Sequence, residues 1–321
     1  MAMKYRNLGR ALEKVSEISL GTWAFSSTVY GKADVDHSVK SIRTAYEQGI
    51  NLFDTAPLYG TKEQDGISEI VLGKGLEGIR EDVFISTKFG RKPSDDFKPN
   101  FHGAYAIQSV EESLKRLGTD YIDVLFFHSP FSPDEINNDI WQALDSLKQS
   151  GKVRVIGHSI SMFKETQAMS REWAAERKID VVQLVYSLMN RESEKLIAHL
   201  GDQGVGILAR ETLANGFLTG GYQPGQTFPE GHMHNRYSPV ELNERIAYAD
   251  QFNFLVRGEV GSMAQAALRW ALDNPHVSSV LTGAINEQQL IDSCRASGIA
   301  DFTAEELDRA NTLHTRDFEA A

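Results

Sequence analysis

Short apolar runs alternate along the chain with longer segments whose apolar residues recur every three or four positions. Eight of these runs are predicted strands, because each is brief and almost continuously apolar, as expected for strands buried on both faces. The predicted strands cover residues 18–23, 50–56, 83–90, 121–130, 153–160, 180–187, 204–211 and 278–284. Amphipathic segments between them, including 34–48, 104–117, 137–149 and 162–175, are predicted helices.

This regular alternation predicts an α/β fold in which eight parallel strands close into a (β/α)8 TIM barrel. A single domain over residues 1–321 is expected, with a short N-terminal hairpin turning at Gly9 and Arg10 and an extra C-terminal helix. A doubly wound open sheet is the main alternative. It is disfavoured because the sequence after the first strand, LGTWAFSS, has no glycine-rich phosphate-binding turn.

A glycine pattern of the dinucleotide-binding type does occur later, at Gly73, Gly75 and Gly78 in GKGLEG. The functional motif must follow a strand and open a helix, whereas this string follows a predicted helix and precedes a strand. It is therefore interpreted as a helix-ending turn.

The charge of the chain limits its partners. Among 321 residues, 33 basic and 44 acidic side chains give a net charge of −11, which argues against nucleic acid and anionic membrane surfaces. Cys294 is the only cysteine, so no intrachain disulfide can form. With no signal-like start and no apolar stretch long enough to span a bilayer, a cytoplasmic protein without a membrane partner is expected.

The segment 214–239 is rich in Gly, Pro, His and aromatic residues and is long for a connection in a barrel. We expect a lid or binding loop there, with plain disorder as the alternative. His232 and His234 have the alternation of a zinc pair, but no Cys or acid cluster lies nearby in sequence. The two histidines are expected to be solvated, and no metal is expected.

Polar residues at the ends of three consecutive predicted strands carry the candidate chemistry. In a β/α barrel the active site lies at the carboxyl ends of the strands, where Asp54, Lys88 and His128 fall, with Tyr59 in the loop after Asp54. Taken one at a time, each residue could instead have a purely structural role, in a turn, at a strand end or in packing. Together they suggest proton exchange by Tyr59, with a lowered phenol pKa because of Lys88. Asp54 would keep Lys88 charged, and His128 would orient a substrate oxygen.

Ordered motifs over nearly the whole chain resemble those of the aldo-keto reductases. They include LGTW, FDTAPLYG, STKFG, SVEESLKRLGTDYIDVLFFH, VVQLVYSLMNR, LANGFLTG and LTGAINEQQLIDS. The resemblance implies a barrel that binds NAD(P)H and transfers hydride between the nicotinamide and a small carbonyl or alcohol substrate. It also implies that Asp54, Tyr59, Lys88 and His128 are the catalytic residues.

The cofactor positions implied by the resemblance are less regular. The nicotinamide amide would be held by Ser159 and Gln183, but Ile160 replaces the Asn of the family, and Arg210 replaces an aromatic residue that stacks on the ring. A planar guanidinium can also stack. The other implied cofactor residues are Thr22, Trp23, Leu213, Gly216, Gly283, Gln289 and Ser293.

The choice between NADP and NAD depends on cations near the 2′-phosphate. Ile285, Asn286 and Gln289 offer none, and Glu287 and Asp292 add negative charge, which favours NAD. The family prior favours NADP, and Arg295 or Arg210 could compensate. Both cofactors stay open at this point.

Two other functions are carried as alternatives. One is an NAD-dependent sugar or polyol dehydrogenase, and the other is a cofactor-binding regulatory subunit resembling the potassium-channel β subunits. A large exposed apolar patch would favour the second. Aromatic residues that could line a substrate pocket are Trp23, Phe25, Tyr30, Phe89 and Phe131. The oligomeric state stays open.

Overall fold

Eight parallel strands close into a barrel in the computed structural model, which describes residues 2–26, 34–283 and 286–319. The strands follow one another around the barrel in chain order and the last pairs with the first, so neighbours in sequence are neighbours in space. All eight predicted strands are confirmed. They are β3 (Ile18–Gly21), β4 (Leu52–Asp54), β5 (Phe84–Phe89), β6 (Ile122–His128), β7 (Val153–Ser159), β8 (Val181–Val185), β9 (Gly206–Arg210) and β10 (Val277–Thr282).

Helices follow the strands and surround the barrel. They are α1 (Val35–Glu47), α2 (Ile67–Gly75), α3 (Gly103–Leu117), α4 (Ile140–Gln149), α5 (Phe163–Ala175), α6 (Glu194–Asp202), α7 (Pro239–Asp250), α8 (Met263–Leu272), α9 (Glu287–Cys294) and α10 (Ala304–Leu313). Local sequence signals fix several ends. A capping box of Ser238 and Glu241 begins α7, and left-handed Gly118 ends α3. The four helices predicted most clearly correspond to α1, α3, α4 and α5, and α10 is the predicted C-terminal helix.

The predicted N-terminal hairpin is formed by β1 (Tyr5–Leu8) and β2 (Leu12–Ser16), which pair antiparallel. Its apolar side chains Leu8 and Val15 are fully buried and share one apolar cluster with inward-facing residues of the barrel strands. A Cβ at Gly206, the first residue of β9, would collide with the backbone of Leu8. The hairpin therefore covers the amino ends of the strands, and only their carboxyl ends are left to form a site.

The string GKGLEG ends a helix, as interpreted from the sequence. Gly75 is the last residue of α2, and Gly78 has a left-handed φ of +79° in the turn before β5. Gly73 packs against the backbone of Leu117 at the end of α3. These glycines serve helix packing and a turn on the outside of the barrel.

Within the described part of the chain, no helix is both long and apolar enough to cross a bilayer.

Candidate active site

The four candidate catalytic residues meet in one cavity at the carboxyl ends of the strands. Asp54 and His128 are the last residues of β4 and β6, Lys88 is the penultimate residue of β5, and Tyr59 lies in the loop between β4 and α2. The cavity has a volume of about 600 Å³. Because neighbouring parallel strands end at the same rim, residues far apart in sequence reach the same space.

Lys88 is the centre of this group. Its Nζ donates to Asp54 Oδ2 at 2.7 Å, to the backbone oxygen of Thr55 at 2.9 Å and to Tyr59 Oη at 3.3 Å. The side chain is only 1% exposed. All three ammonium hydrogens therefore have an acceptor, which a buried ammonium group requires.

The second oxygen of Asp54 connects this group to predicted cofactor residues. Asp54 Oδ1 accepts from Ser86 Oγ at 2.7 Å and from Gln183 Nε2 at 2.9 Å. Ser159 Oγ in turn donates to Gln183 Oε1 at 3.0 Å. A continuous buried chain of hydrogen bonds thus runs from Ser159 through Gln183 and Asp54 to Lys88 and fixes the orientation of each side chain.

The charge states of the pair follow from burial and contact. Burial alone would lower the pKa of Lys88, but Asp54 and Tyr59 raise it by more, so the ammonium form is kept. Burial raises the pKa of the Tyr59 hydroxyl, and Lys88 opposes this only in part. The expectation that Lys88 brings the phenol pKa below its ordinary value is therefore wrong. Tyr59 is a neutral, proton-carrying group at neutral pH.

His128 stands beside Tyr59, with the two rings edge to face and their centroids 6.1 Å apart. Burial, and then the positive charges of Lys88, Arg210 and Arg91, hold the pKa of His128 well below its ordinary value. The imidazole is therefore neutral. Its Nδ1 is buried and has no hydrogen-bond partner among the described residues, which is unusual for a buried ring nitrogen.

Most of the predicted cofactor residues line the same cavity, and two do not. Thr22 is fully buried, with Oγ1 bonded to the backbone oxygen of Asp54, and Ser293 is buried at 3.2 Å from Thr282 Oγ1. Both support the wall from behind. The residues that line the cavity are Trp23, Ser159, Gln183, Arg210, Leu213, Gly216, Gly283 and Gln289.

The two positions that depart from the family pattern, Ile160 and Arg210, are linked by a hydrogen bond. The side chain of Ile160 is 2% exposed in the apolar core and does not line the cavity, so its change of chemistry leaves no gap in the wall. Arg210 Nη2 donates to the backbone oxygen of Ile160 at 3.1 Å and to Ser161 Oγ at 3.3 Å, while Nη1 pairs with Glu211. The guanidinium is thus fixed across the ends of β7 and β9.

The acidic residues near α9 are already engaged in the fold. Asp292 accepts from Ser262 Oγ at 2.5 Å and from Gln265 Nε2 at 2.7 Å, and Glu287 forms an ion pair with Lys40 at 2.9 Å. Asp292 therefore serves the packing of α9 on α8. Both of its carboxylate oxygens are engaged by neutral donors of α8 and its N-cap.

Three other residues that bear on the choice between NADP and NAD lie just before α9, at its N-cap and just after it. Ile285 lies outside the described residues. Asn286 caps α9, its Oδ1 accepting from the backbone N–H of Gln289 at 3.0 Å. Arg295 is exposed on the turn after α9. The described side chains in the first turn of α9 are thus polar or acidic, and none of them is a cation.

The segment between β9 and α7 is ordered around a buried histidine. His234 is 0% exposed, and its Nε2 contacts the backbone oxygen of Asn215 at 2.9 Å and Tyr222 Oη at 3.2 Å. The expectation of solvated histidines is therefore wrong for His234, because aromatic rings enclose it. We call this group the His234 cluster; its members are Phe217, Tyr222, Phe228, His232, His234 and Tyr237.

The predicted pocket aromatics separate into two groups. Phe25 and Phe89 are buried in the core, because their side chains point between strands and helices and away from the mouth. Trp23 and Phe131 line the cavity and are 37% and 45% exposed. Tyr30 lies outside the described residues.

Sequence reasoning missed several polar residues of the cavity wall. Four of them stand one or two positions beyond the end of a strand, so inspection of the residues just after each strand could have found them. These residues are Arg91, Ser129, Ser161 and Glu211, and Tyr222 joins them from the His234 cluster.

Residues 17–314 match the family model for the aldo/keto reductase family. The chain is 32% identical over 302 residues to aldo-keto reductase YhdN of Bacillus subtilis, covering 90% of this chain and 87% of the relative. It is 30% identical over 314 residues to a probable voltage-gated potassium channel subunit beta of Arabidopsis thaliana, covering 92% and 91%.

A solved structure agrees with this relationship. The glycerol dehydrogenase AKR11B4 of Gluconobacter oxydans superposes with a TM-score of 0.79 at 27% identity, covering 95% of this chain and 93% of that structure. The barrel, the family match over nearly the whole chain and the relatives all agree. The chain belongs to the aldo-keto reductase family of oxidoreductases.

Proposed function

We propose that the chain is an NAD(P)-dependent oxidoreductase that transfers hydride between the dinucleotide and a small aldehyde, ketone or sugar. Aldo-keto reductases use nicotinamide cofactors. One observation carries the assignment of residues: the buried Lys88 ammonium contacts both Asp54 at 2.7 Å and Tyr59 Oη at 3.3 Å. A cation in contact with a neutral phenol is suited to proton exchange with a carbonyl oxygen.

The residues present fit a nicotinamide dinucleotide. A cavity of about 600 Å³ lies within the usual range for ligand pockets, roughly 300–1,000 Å³. Ser159 and Gln183 would hold the carboxamide of the nicotinamide with a hydroxyl and an amide, and the planar Arg210 guanidinium could stack on its ring. Gly216, Gly283 and Gln289 line the part of the cavity near α9, where the remainder of the dinucleotide would be held.

Each catalytic side chain has a separate task in the proposed reaction. The dinucleotide, when bound, supplies the hydride that reaches the carbonyl carbon. Tyr59 donates its proton to the carbonyl oxygen, and the phenolate that remains is stabilised by the Lys88 ammonium before a proton returns from solvent. Asp54 keeps Lys88 charged, and neutral His128 orients the carbonyl oxygen.

The proposal is tested by the variant Tyr59→Phe. We expect turnover to fall by about 10²–10⁴-fold, because the ring stays and only the proton donor is lost. Dinucleotide affinity, followed by quenching of protein fluorescence, should stay close to that of the unaltered protein. Tyr46→Phe is the matched control, because the Tyr46 hydroxyl bonds Asp82 at 3.1 Å on the outer surface. Near-normal turnover in Tyr59→Phe would remove Tyr59 from this role.

A second candidate is an NAD-dependent sugar or polyol dehydrogenase. It is supported by the likeness to a glycerol dehydrogenase structure and by the first turn of α9, whose described side chains are acidic or neutral. Titration with NADH and NADPH in parallel, followed by aldehyde, aldose and polyol panels, separates the candidates. Oxidation of a polyol with NAD that greatly exceeds aldehyde reduction would favour the dehydrogenase.

The potassium-channel β subunit is a third possibility, suggested by the Arabidopsis relative. A subunit docked on a membrane channel needs a contiguous apolar surface. Two of the exposed large apolar side chains of the described residues, Trp23 and Phe131, line the cavity, where they are suited to contact a small substrate. The enzyme is therefore kept as the first candidate.

A further inference from the structure

We propose that Arg91 forms a subsite for an anionic group, a carboxylate or a phosphate, carried by the carbonyl substrate. This inference rests on the proposed oxidoreductase function and adds the substrate class. Four observations support it: the position of Arg91, its fixed geometry, its unused donors and the charge of the cavity wall.

The position of Arg91 places it on the substrate side. It follows Gly90 directly after β5, next to the strand that ends at His128, and it lines the cavity. In the ring of eight strands, β5 stands opposite β9, which carries Arg210 on the dinucleotide side. Gly90 has a φ of +107°, and a Cβ there would collide with the ring of Phe101. Only glycine allows this turn, and the turn brings Arg91 to the mouth.

The guanidinium is held rigidly before any ligand arrives. Nε donates to the backbone oxygen of Ser129 at 3.3 Å, Nη1 to that of Phe97 at 3.1 Å, and Nη2 to Glu135 Oε2 at 3.0 Å. The Phe131 ring packs against the group with its centroid 4.1 Å from the central carbon. Arg91 is 8% exposed, so little further entropy would be lost on binding a ligand.

These contacts leave donors unused. A guanidinium carries five N–H groups, and three of them have partners among the described residues. Both Nη atoms keep one further N–H. Two such donors on one planar fork match the two oxygens of a carboxylate or phosphate.

The surface of the cavity wall presents one more cation than anion. Among the described lining residues, Lys88, Arg91 and Arg210 are cationic and Asp54 and Glu211 are anionic, while Glu135 balances Arg91 from outside the lining at 3.0 Å. Asp54 and Glu211 neutralise Lys88 and Arg210 at contact distance. Arg91 has Glu135 as its partner, and Glu135 is outside the lining. Burial lowers the pKa of Arg91, and Glu135 opposes this in part.

The experiment compares aldehydes that carry an anionic group with neutral counterparts. Initial rates with 4-carboxybenzaldehyde and its methyl ester, each with the dinucleotide that the enzyme uses, give two values of kcat/KM. We expect a clear preference for the carboxylate, and a fall in the carboxylate-to-ester ratio of about 10- to 100-fold in Arg91→Gln. Glyceraldehyde 3-phosphate against glyceraldehyde repeats the comparison for phosphate. The substrate pair whose kcat/KM ratio changes more in Arg91→Gln identifies the preferred anion, carboxylate or phosphate.

Two variants sharpen the result. Glu135→Gln keeps an acceptor for Arg91 but removes its competing charge, so the preference for the anion should increase. Arg154→Gln, which alters an exposed arginine at the amino end of β7 that is bonded to Asp123 of β6, should leave the ratio unchanged. Equal or better use of the neutral substrates by the unaltered enzyme, with no change in ratio on Arg91→Gln, would overturn the subsite. Turnover of neither substrate with either dinucleotide would instead count against the oxidoreductase proposal itself.

Discussion

The two sides of the cavity are built in different ways. On one side, Asp54, Lys88 and His128 belong to regular strands, and their side chains are fixed by hydrogen bonds inside the barrel. On the other side, the wall is the irregular segment after β9, held by the His234 cluster. In the proposed reaction the first side would carry the chemistry, which requires fixed distances. The second side would face the dinucleotide, and its shape depends on a strained backbone.

On the second side several residues after β9 have left-handed backbone, whereas on the first side Ser129, after β6, has a φ of +52°. Glu211, Ala214 and Asn215 have φ values of +54°, +47° and +54°, and Gly216 has +99°. Left-handed backbone costs a non-glycine residue about 1–2 kcal/mol. Asn215 Nδ2 donates to Glu211 Oε2 at 3.0 Å, and Glu211 pairs with Arg210. Strain persists here because these contacts hold it, which is common where a wall must approach a ligand closely.

The largest effect is expected from a substitution that removes the buried ion pair on the first side of the cavity. Asp54→Asn leaves the ammonium of Lys88 buried at 1% exposure without a counter-charge, so the free energy of unfolding should fall by about 3–5 kcal/mol. Urea unfolding measures it. The matched control is Asp96→Asn, since Asp96 pairs with Lys62 at a similar 2.6 Å but both are more than 60% exposed. That control should change stability by less than about 1 kcal/mol. Similar losses in both variants would contradict the importance assigned to burial.

A smaller effect is expected on the strained side. In Gly216→Ala the new Cβ would lie 2.5 Å from Tyr222 Oη, so the ring that lines the cavity must move. We expect the dinucleotide dissociation constant to rise about tenfold or more, in line with roughly 1–3 kcal/mol of strain. Gly225→Ala in the same segment is the control, because its φ is +80° but its Cβ would meet nothing within 4 Å. Equal changes in affinity would show that backbone strain alone, and not the displaced Tyr222, determines the result.

The same contrast explains how far the sequence could predict the molecule. Strand periodicity and the rule that barrel sites lie at carboxyl ends placed Asp54, Lys88 and His128 correctly in one cavity. The places of Arg91 and Glu211 in the cavity wall were missed, because strand periodicity ends where the turns with left-handed backbone begin. The burial of His234 was also missed. It depends on aromatic rings spread over some twenty residues of sequence, which only the folded loop brings together.

The smallest expected effect concerns the pH dependence of the loop. Burial, together with the nearby His232, Arg236 and Arg245, lowers the pKa of His234 to about 4 from an ordinary 6.5. The unfolded chain therefore binds one more proton than the folded chain between about pH 6.5 and pH 4, and stability falls as the pH is lowered through that window. His234→Phe keeps a ring in the cluster and removes this titration.

The melting temperature of this variant should therefore depend less steeply on pH between 6.5 and 4 than that of the unaltered protein. Other buried histidines, His128 and His158, titrate in both proteins and cancel in the comparison. At neutral pH the variant should melt lower, because the backbone oxygen of Asn215 loses the donor at His234 Nε2. Scanning calorimetry at several pH values measures both effects. Parallel pH profiles would show that the loop opens before His234 is protonated, so that its burial makes no contribution to global stability in acid.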